Sequence, residues 1–194
     1  MKHEITRADL LPFSVYERER KERRSRMAEM KARRRIEVGP FATFYFENYE
    51  TMLHQIHEML AIEKGGDGQV ESELEAYNPL VPKGRELVAT VMFEIEDPAR
   101  RARELARLGG VELQIYLVVG GARIHAQQIG DDERTRADGK TSSVHFLRFE
   151  FPPAAAAAFK HAGAEATLEI AHPNYAHMAR MPETVRAALA ADLD

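Results

Sequence analysis

The segment 86–96 constrains the fold of this chain more than any other. Its apolar positions recur at every second residue, and they are Leu87, Ala89, Val91, Phe93 and Ile95. Successive side chains of a strand point to opposite faces, so this alternation predicts a strand with one face in a core. A single strand has no stable partner of its own, and the chain must therefore build a sheet.

Two adjacent glycines, Gly120 and Gly121, separate two apolar segments. Glycine accepts the positive φ angles of a tight turn, and the pair therefore predicts an antiparallel hairpin. Further extended segments are predicted at 41–46, 142–151 and 165–172. The strands cluster after two leading helices, so we predict an α+β fold, a single domain with a mostly antiparallel sheet of about five strands packed by helices.

The leading helix is long and basic. Helix-forming residues run over 16–35 without Gly or Pro. The segment 17–37 holds ten Lys and Arg against five Asp and Glu, and the remainder must carry −9 because the net charge is −4. We interpret residues 1–38 as an N-terminal helical arm and residues 39–194 as an α+β body. The arm could dock on an acidic surface of its own fold or of a partner.

The residue inventory excludes several classes of site. The 194 residues include no Cys, so thiolate metal sites and iron–sulfur clusters are excluded, and any metal must be held by His, Asp and Glu. The usual nucleotide-binding and hydrolase motifs are absent. No apolar run reaches the roughly 18 residues of a membrane span and no signal peptide is recognisable, which predicts a cytoplasmic protein without a membrane partner.

The second predicted helix opens at Glu47 or Asn48 and reaches about Lys64, with its polar residues on one face. At about 100° per residue, five side chains fall within one arc: Glu47, Asn48, Thr51, Gln55 and Glu58. Such an arc is typical of the solvated side of an amphipathic helix. Alternatively, it binds a small polar ligand, or Glu47, His54 and Glu58 hold a divalent metal.

Four residues outside this helix are candidates to close such a site, and they are Asn78, Arg85, His172 and Tyr175. His172 shares strand parity with Leu168 and Ile170, so its side chain is predicted to point inward. Inward histidines at strand ends are more often hydrogen-bonded core residues than catalysts. Both interpretations stay open at this point.

Four stretches resemble a bacterial family of unknown function, and they lie at 31–60, 73–97, 144–151 and 172–175. Genes of that family are often found beside those for rubrerythrin and an iron–sulfur oxidoreductase. The resemblance implies a link to peroxide or oxygen defence. The family-like pattern in the helix contains all five residues of the polar arc but neither His54 nor His57, which favours a carboxylate and amide site over a histidine metal site.

We therefore predict a cytosolic accessory or protein-interaction protein linked to redox systems. The alternative is a metal-dependent or small-ligand-binding enzyme with its site on the second helix, and the cofactor is unknown. We expect a protein partner or a homo-oligomer. Nucleic acid is not expected as a partner, because the basic run is interleaved with glutamates and has no aromatic residue for base stacking.

Overall fold

The computed structural model describes residues 2–130, 134–135 and 139–194. These residues form one α+β domain, and the predicted class is confirmed. The helices are α1 (Phe13–Ala32), α2 (Tyr49–Glu63), α3 (Asp67–Tyr77), α4 (Pro98–Ala106), α5 (Pro153–Lys160) and α6 (Glu183–Ala190). The polar composition of residues 130–140 predicts an exposed loop, and most of that segment falls outside the described residues.

The described strands form two antiparallel sheets rather than one sheet of about five strands. Their bounds are β1 (Arg35–Val38), β2 (Ala42–Glu47), β3 (Glu86–Phe93), β4 (Ile115–Val119), β5 (Ala122–His125), β6 (Gln127–Gln128), β7 (Val144–Glu150), β8 (Ala166–His172) and β9 (Tyr175–Arg180). One sheet has the order β1-β2-β3-β7-β6 and the other has the order β5-β4-β8-β9. The chain passes from one sheet to the other between β5 and β6, where Ala126 donates its N–H to the carbonyl of Ile115.

The inner faces of the two sheets share the main core. The alternating residues of β3 lie in it, together with Phe44 and Phe149 of the same sheet and Leu117 and Leu168 of the other. Helices α5 and α6 contribute Phe159 and Leu189. Burying apolar area in this way stabilises the fold by about 25 cal/mol for each Å² removed from water.

The outer face of the five-stranded sheet is covered by helices, and this arrangement creates the cleft described below. Helix α2 packs against α1 and α3. A second apolar cluster joins Met52 and Ile56 of α2 to Val88 of β3. Strands β2 and β3 are therefore buried on both faces, as their near-continuous burial shows.

Residues 2–38 belong to the same domain as the rest of the described chain. Strand β1 pairs with β2, its Ile36 lies in the main core, and Ile5 lies in the second cluster. The boundary predicted at residue 38 thus cuts through a hairpin. No helix of the described residues is long and apolar enough to cross a membrane.

Candidate functional site

Glu47 is the last residue of β2, and its side chain points to the helix-covered face of the sheet. Only 7% of the residue is exposed. One carboxylate oxygen accepts a hydrogen bond from the Thr51 hydroxyl at 2.7 Å, and the other accepts from the Thr90 hydroxyl at 2.8 Å. Asn48 follows as the N-cap of α2, where its side chain accepts from the Thr51 N–H at 3.0 Å. The Glu47 carboxylate is therefore fixed at the point where the chain turns from strand β2 into helix α2.

A cleft of about 410 Å³ opens beside this carboxylate, between the sheet and the helices. We call it the Glu47 cleft. Its walls come from α1, α2, α3, the turn after α3 and three strands, and they comprise Lys31, Tyr45, Glu47, Met52, Gln55, Tyr77, Leu80, Thr90, Met92, Val144 and Phe146. Most of these residues are apolar or aromatic, while a few polar groups converge at one end, which is the usual character of a small-molecule site.

Three polar side chains of the cleft make no hydrogen bond or ion pair within the described part of the chain. They carry the Lys31 ammonium, the Gln55 amide and the Tyr77 hydroxyl. All three residues are half-buried. Polar groups in such positions are normally satisfied by protein, water or a ligand.

A buried ion pair fixes the end of α1 next to Glu47. The Arg34 guanidinium binds the Asp192 carboxylate, and the two residues are only 4% and 3% exposed. Arg34 also donates to the carbonyls of Phe46 at 3.0 Å and Glu47 at 3.3 Å. Burial raises the pKa of Asp192, while the positive charge of Arg34 opposes that rise. Asp192, near the C-terminal end, therefore fixes Arg34, and Arg34 in turn joins the end of α1 to the end of β2 beside the cleft.

Glu58 lies on the opposite side of α2, in the seam with α1. Its carboxylate accepts two hydrogen bonds from Arg20, at 2.9 and 3.0 Å, and one from the Tyr16 hydroxyl at 2.7 Å. The His54 ring is 3.4 Å from the same hydroxyl. The predicted polar arc is therefore divided, since Glu47 and Gln55 line the cleft and Thr51 supports Glu47 from beneath its surface, whereas Glu58 faces α1.

Replacing Glu58 by glutamine should make the free energy of unfolding depend less on pH in the acid range, below the usual pKa of a glutamate. Hydrogen bonding to Arg20 lowers the pKa of Glu58 from 4.5 to about 2, and the Tyr16 hydroxyl adds to the effect. A lowered folded-state pKa contributes stability above the unfolded value, and that stability is lost as the pH falls from 4.5 toward 2. Urea unfolding at several pH values should show this loss in the parent chain and much less in Glu58→Gln.

The same variant should be less stable than the parent by about 1–3 kcal/mol at neutral pH, because it weakens a charge-assisted pair. Glu50→Gln is the matched control, since Glu50 is exposed on the same helix. Parallel acid limbs for the parent and Glu58→Gln would contradict the assignment of this pair.

The remaining predicted residues lie away from the cleft. Asn78 bonds the N–H and the carbonyl of Ile5 and so fixes the N-terminal segment. Arg85 is exposed. His172 is buried and faces the carbonyl of Gly109 at 3.3 Å, while Tyr175 donates to the Val38 carbonyl at 2.7 Å. Sequence reasoning placed these four near the helix face, and the structure does not bring them to the Glu47 cleft.

The metal hypothesis predicts that Glu47, His54 and Glu58 lie close enough to bind one divalent ion. The structure holds Glu47 between two threonine hydroxyls and Glu58 against an arginine, on different sides of α2. Among the described residues, no three His, Asp or Glu side chains are grouped so as to hold a metal ion.

Comparison with known proteins places the chain in a family. A family model described as a protein of unknown function, DUF3501, matches residues 4–193. The chain belongs to the DUF3501 family. Among curated proteins, none matches it.

One solved structure shows how closely the fold of this DUF3501 member is shared. It is the crystal structure of a novel protein of unknown function from Burkholderia pseudomallei K96243. The two chains are 41% identical, the match covers 98% of this chain and 99% of the other, and the TM-score is 0.91.

Several cleft residues of the DUF3501 chain were missed by sequence reasoning, and they are Lys31, Tyr45, Tyr77, Thr90 and Phe146. A signal for two of them was available. Tyr45 shares strand parity with Glu47, and Thr90 is even-numbered in the alternating strand β3, opposite the core-facing set. Lys31 carried no such signal, because its position depends on how α1 packs against the sheet.

Proposed function

We propose that the chain binds a small, partly apolar molecule in the Glu47 cleft. The observation that carries the proposal is a carboxylate fixed by two hydroxyl donors beside an apolar cavity whose Lys31 and Gln55 have no partner among the described residues. Fixed polar groups cost little to reorganise when a ligand arrives, so they favour binding and orientation.

A larger cavity of about 530 Å³ supports this role less well. It lies between the N-terminal segment, α1, α2 and α3. Several of its polar groups are already paired: His57 donates from Nδ1 to the Leu53 carbonyl and accepts the Leu11 N–H at Nε2. Arg7 is paired with Glu71. A ligand there would gain mostly apolar contact, with little to orient it.

A cleft-filling substitution tests the proposal. Val144→Phe should occupy the apolar end, and fragments that stabilise the parent chain in a thermal-shift screen should lose their effect. Val118→Phe is the matched control, because Val118 is also half-buried on a strand but lies on the four-stranded sheet. Fragments that stabilise the parent and Val144→Phe equally would overturn the proposal.

An accessory role through α1 is a second proposal. Only Tyr16 and Met27 are buried along its 20 residues, and the exposed Lys21, Arg26 and Arg33 make no ion pair within the described residues. This surface fits an acidic protein partner, and the resemblance noted above suggests one in peroxide or oxygen defence. Light scattering at low and high salt should detect a second copy acting as that partner, and Lys21→Glu should weaken any salt-sensitive complex.

A further inference from the structure

The class of ligand can be inferred from the two ends of the Glu47 cleft, and this inference rests on the proposed function. The Glu47 carboxylate is bonded to Thr90, and Lys31 and Gln55 line the same cleft. The paired residues Met92 and Val144 lie two positions further along β3 and form an apolar end. A ligand that fits both ends has a charged head and an apolar body.

The three polar groups are neighbours for identifiable reasons. Lys31 lies one helical turn before Arg34, whose carbonyl accepts the Phe46 N–H at 2.8 Å, so the last turn of α1 sits beside the end of β2. Gln55 lies one turn after Thr51, whose hydroxyl contacts the Glu47 carboxylate. The fold therefore places a cation, an anion and an amide on the walls of the same cavity.

The two charges are not paired with each other. Each oxygen of Glu47 accepts one hydroxyl, and a carboxylate has further acceptor capacity on both oxygens. Lys31 has three donors and no ion-pair partner among the described residues. A ligand with a single charge would pair with one group and leave the other partly desolvated without a counter-charge, which disfavours binding.

We propose that the Glu47 cleft binds a zwitterion with an α-amino acid head and an aromatic body. The ligand ammonium donates to Glu47, its carboxylate accepts from Lys31, and Gln55 can bond either group. The body lies against Met52, Met92 and Phe146, where sulfur–aromatic contacts favour a flat ring. The Arg134 guanidinium lies 5.0 Å from the Phe146 ring centroid, so one face of that ring is already in contact with a cation.

Indole compounds are suitable reagents because the chain contains no Trp, so excitation to the red of tyrosine absorption reads ligand fluorescence with little protein background. Four compounds separate the charges: L-tryptophan, tryptamine, indole-3-propionate and L-tryptophan amide. The amide also represents the N-terminal residue of a peptide. We expect L-tryptophan to bind about tenfold more tightly than any of the other three, because only it satisfies both charges.

Two variants assign the charges. Lys31→Met should bring L-tryptophan down to the affinity of tryptamine, and Glu47→Gln should bring it down to that of indole-3-propionate. The matched controls are Lys21→Met and Glu50→Gln, which remove the same groups from exposed positions outside the cleft. Circular dichroism and thermal unfolding establish that each variant is folded.

The outcomes separate this inference from the proposed function. Equal or tighter binding of a singly charged compound, abolished by Val144→Phe, would overturn the zwitterion and leave the cleft as a ligand site. Failure of all four compounds to bind while other fragments lose binding in Val144→Phe would also overturn it. Binding of L-tryptophan that is unchanged in Lys31→Met and Glu47→Gln would overturn the assignment of both residues.

Discussion

Asp192→Ala is expected to lower the free energy of unfolding by about 3–5 kcal/mol, the largest effect of any substitution considered. The change leaves the Arg34 guanidinium buried without its counter-ion. Removing one member of a buried pair costs more than the pair itself contributes, because the remaining charge stays desolvated. Urea unfolding at neutral pH measures the loss directly.

A paired replacement distinguishes the lost charge from lost packing. Arg34→Met combined with Asp192→Leu removes both charges and fills much of the same volume, and it should recover a large part of the stability. Because Arg34 also holds the carbonyls of Phe46 and Glu47, the double variant should still bind cleft ligands more weakly than the parent. A loss of less than about 1 kcal/mol in Asp192→Ala would contradict this role for the pair.

Gly39→Ala is expected to destabilise the protein by about 3 kcal/mol, from backbone strain and steric overlap together. Gly39 turns the chain between β1 and β2 with φ of +70°. A Cβ there would lie 2.7 Å from the Tyr175 hydroxyl and 2.7 Å from the His177 ring. Tyr175 cannot retreat easily, because its hydroxyl accepts from the N–H groups of Phe41 and Ala42 while donating to Val38.

Gly121→Ala isolates the backbone contribution. Gly121 has φ of +79°, close to that of Gly39, but nothing lies within 4 Å of the position a Cβ would take. This control should cost only about 1–2 kcal/mol. Equal losses in chemical denaturation for the two alanine variants would show that the packing of Tyr175 on the hairpin contributes nothing.

The α+β class could be predicted from sequence because it depends on local patterns. The alternation in β3 and the glycine pair of the β4–β5 hairpin are short-range signals, and both elements are present. The division into two sheets depends on long-range pairing. Strands β1 and β9 carry weak alternation of their own, and the single residue Ala126 between β5 and β6 transfers the chain from one sheet to the other.

The candidate site was predicted in part. The predicted polar arc of the helix contains Glu47, Thr51 and Gln55. Its interpretation as a solvated face is wrong for Glu47 and Thr51, because both residues are buried. Helix α2 has α1, α3 and the sheet as neighbours, so several of its polar residues face other elements instead of water. Periodicity within one helix cannot reveal those neighbours, and the ion pair from Arg34 to Asp192 spans 158 residues.

Methionine methyl spectroscopy tests the central claim most directly, because Met52 and Met92 both line the Glu47 cleft. Chain labelled with ¹³C-methyl methionine would be titrated with the fragments that stabilise it. The Met52 and Met92 signals should shift together and saturably, while the signal of Met178, 67% exposed on β9, should stay unchanged. Shifts confined to Met27 and Met30 in the α1–α2 seam, or no shift at Met52 and Met92, would contradict a ligand site in the cleft.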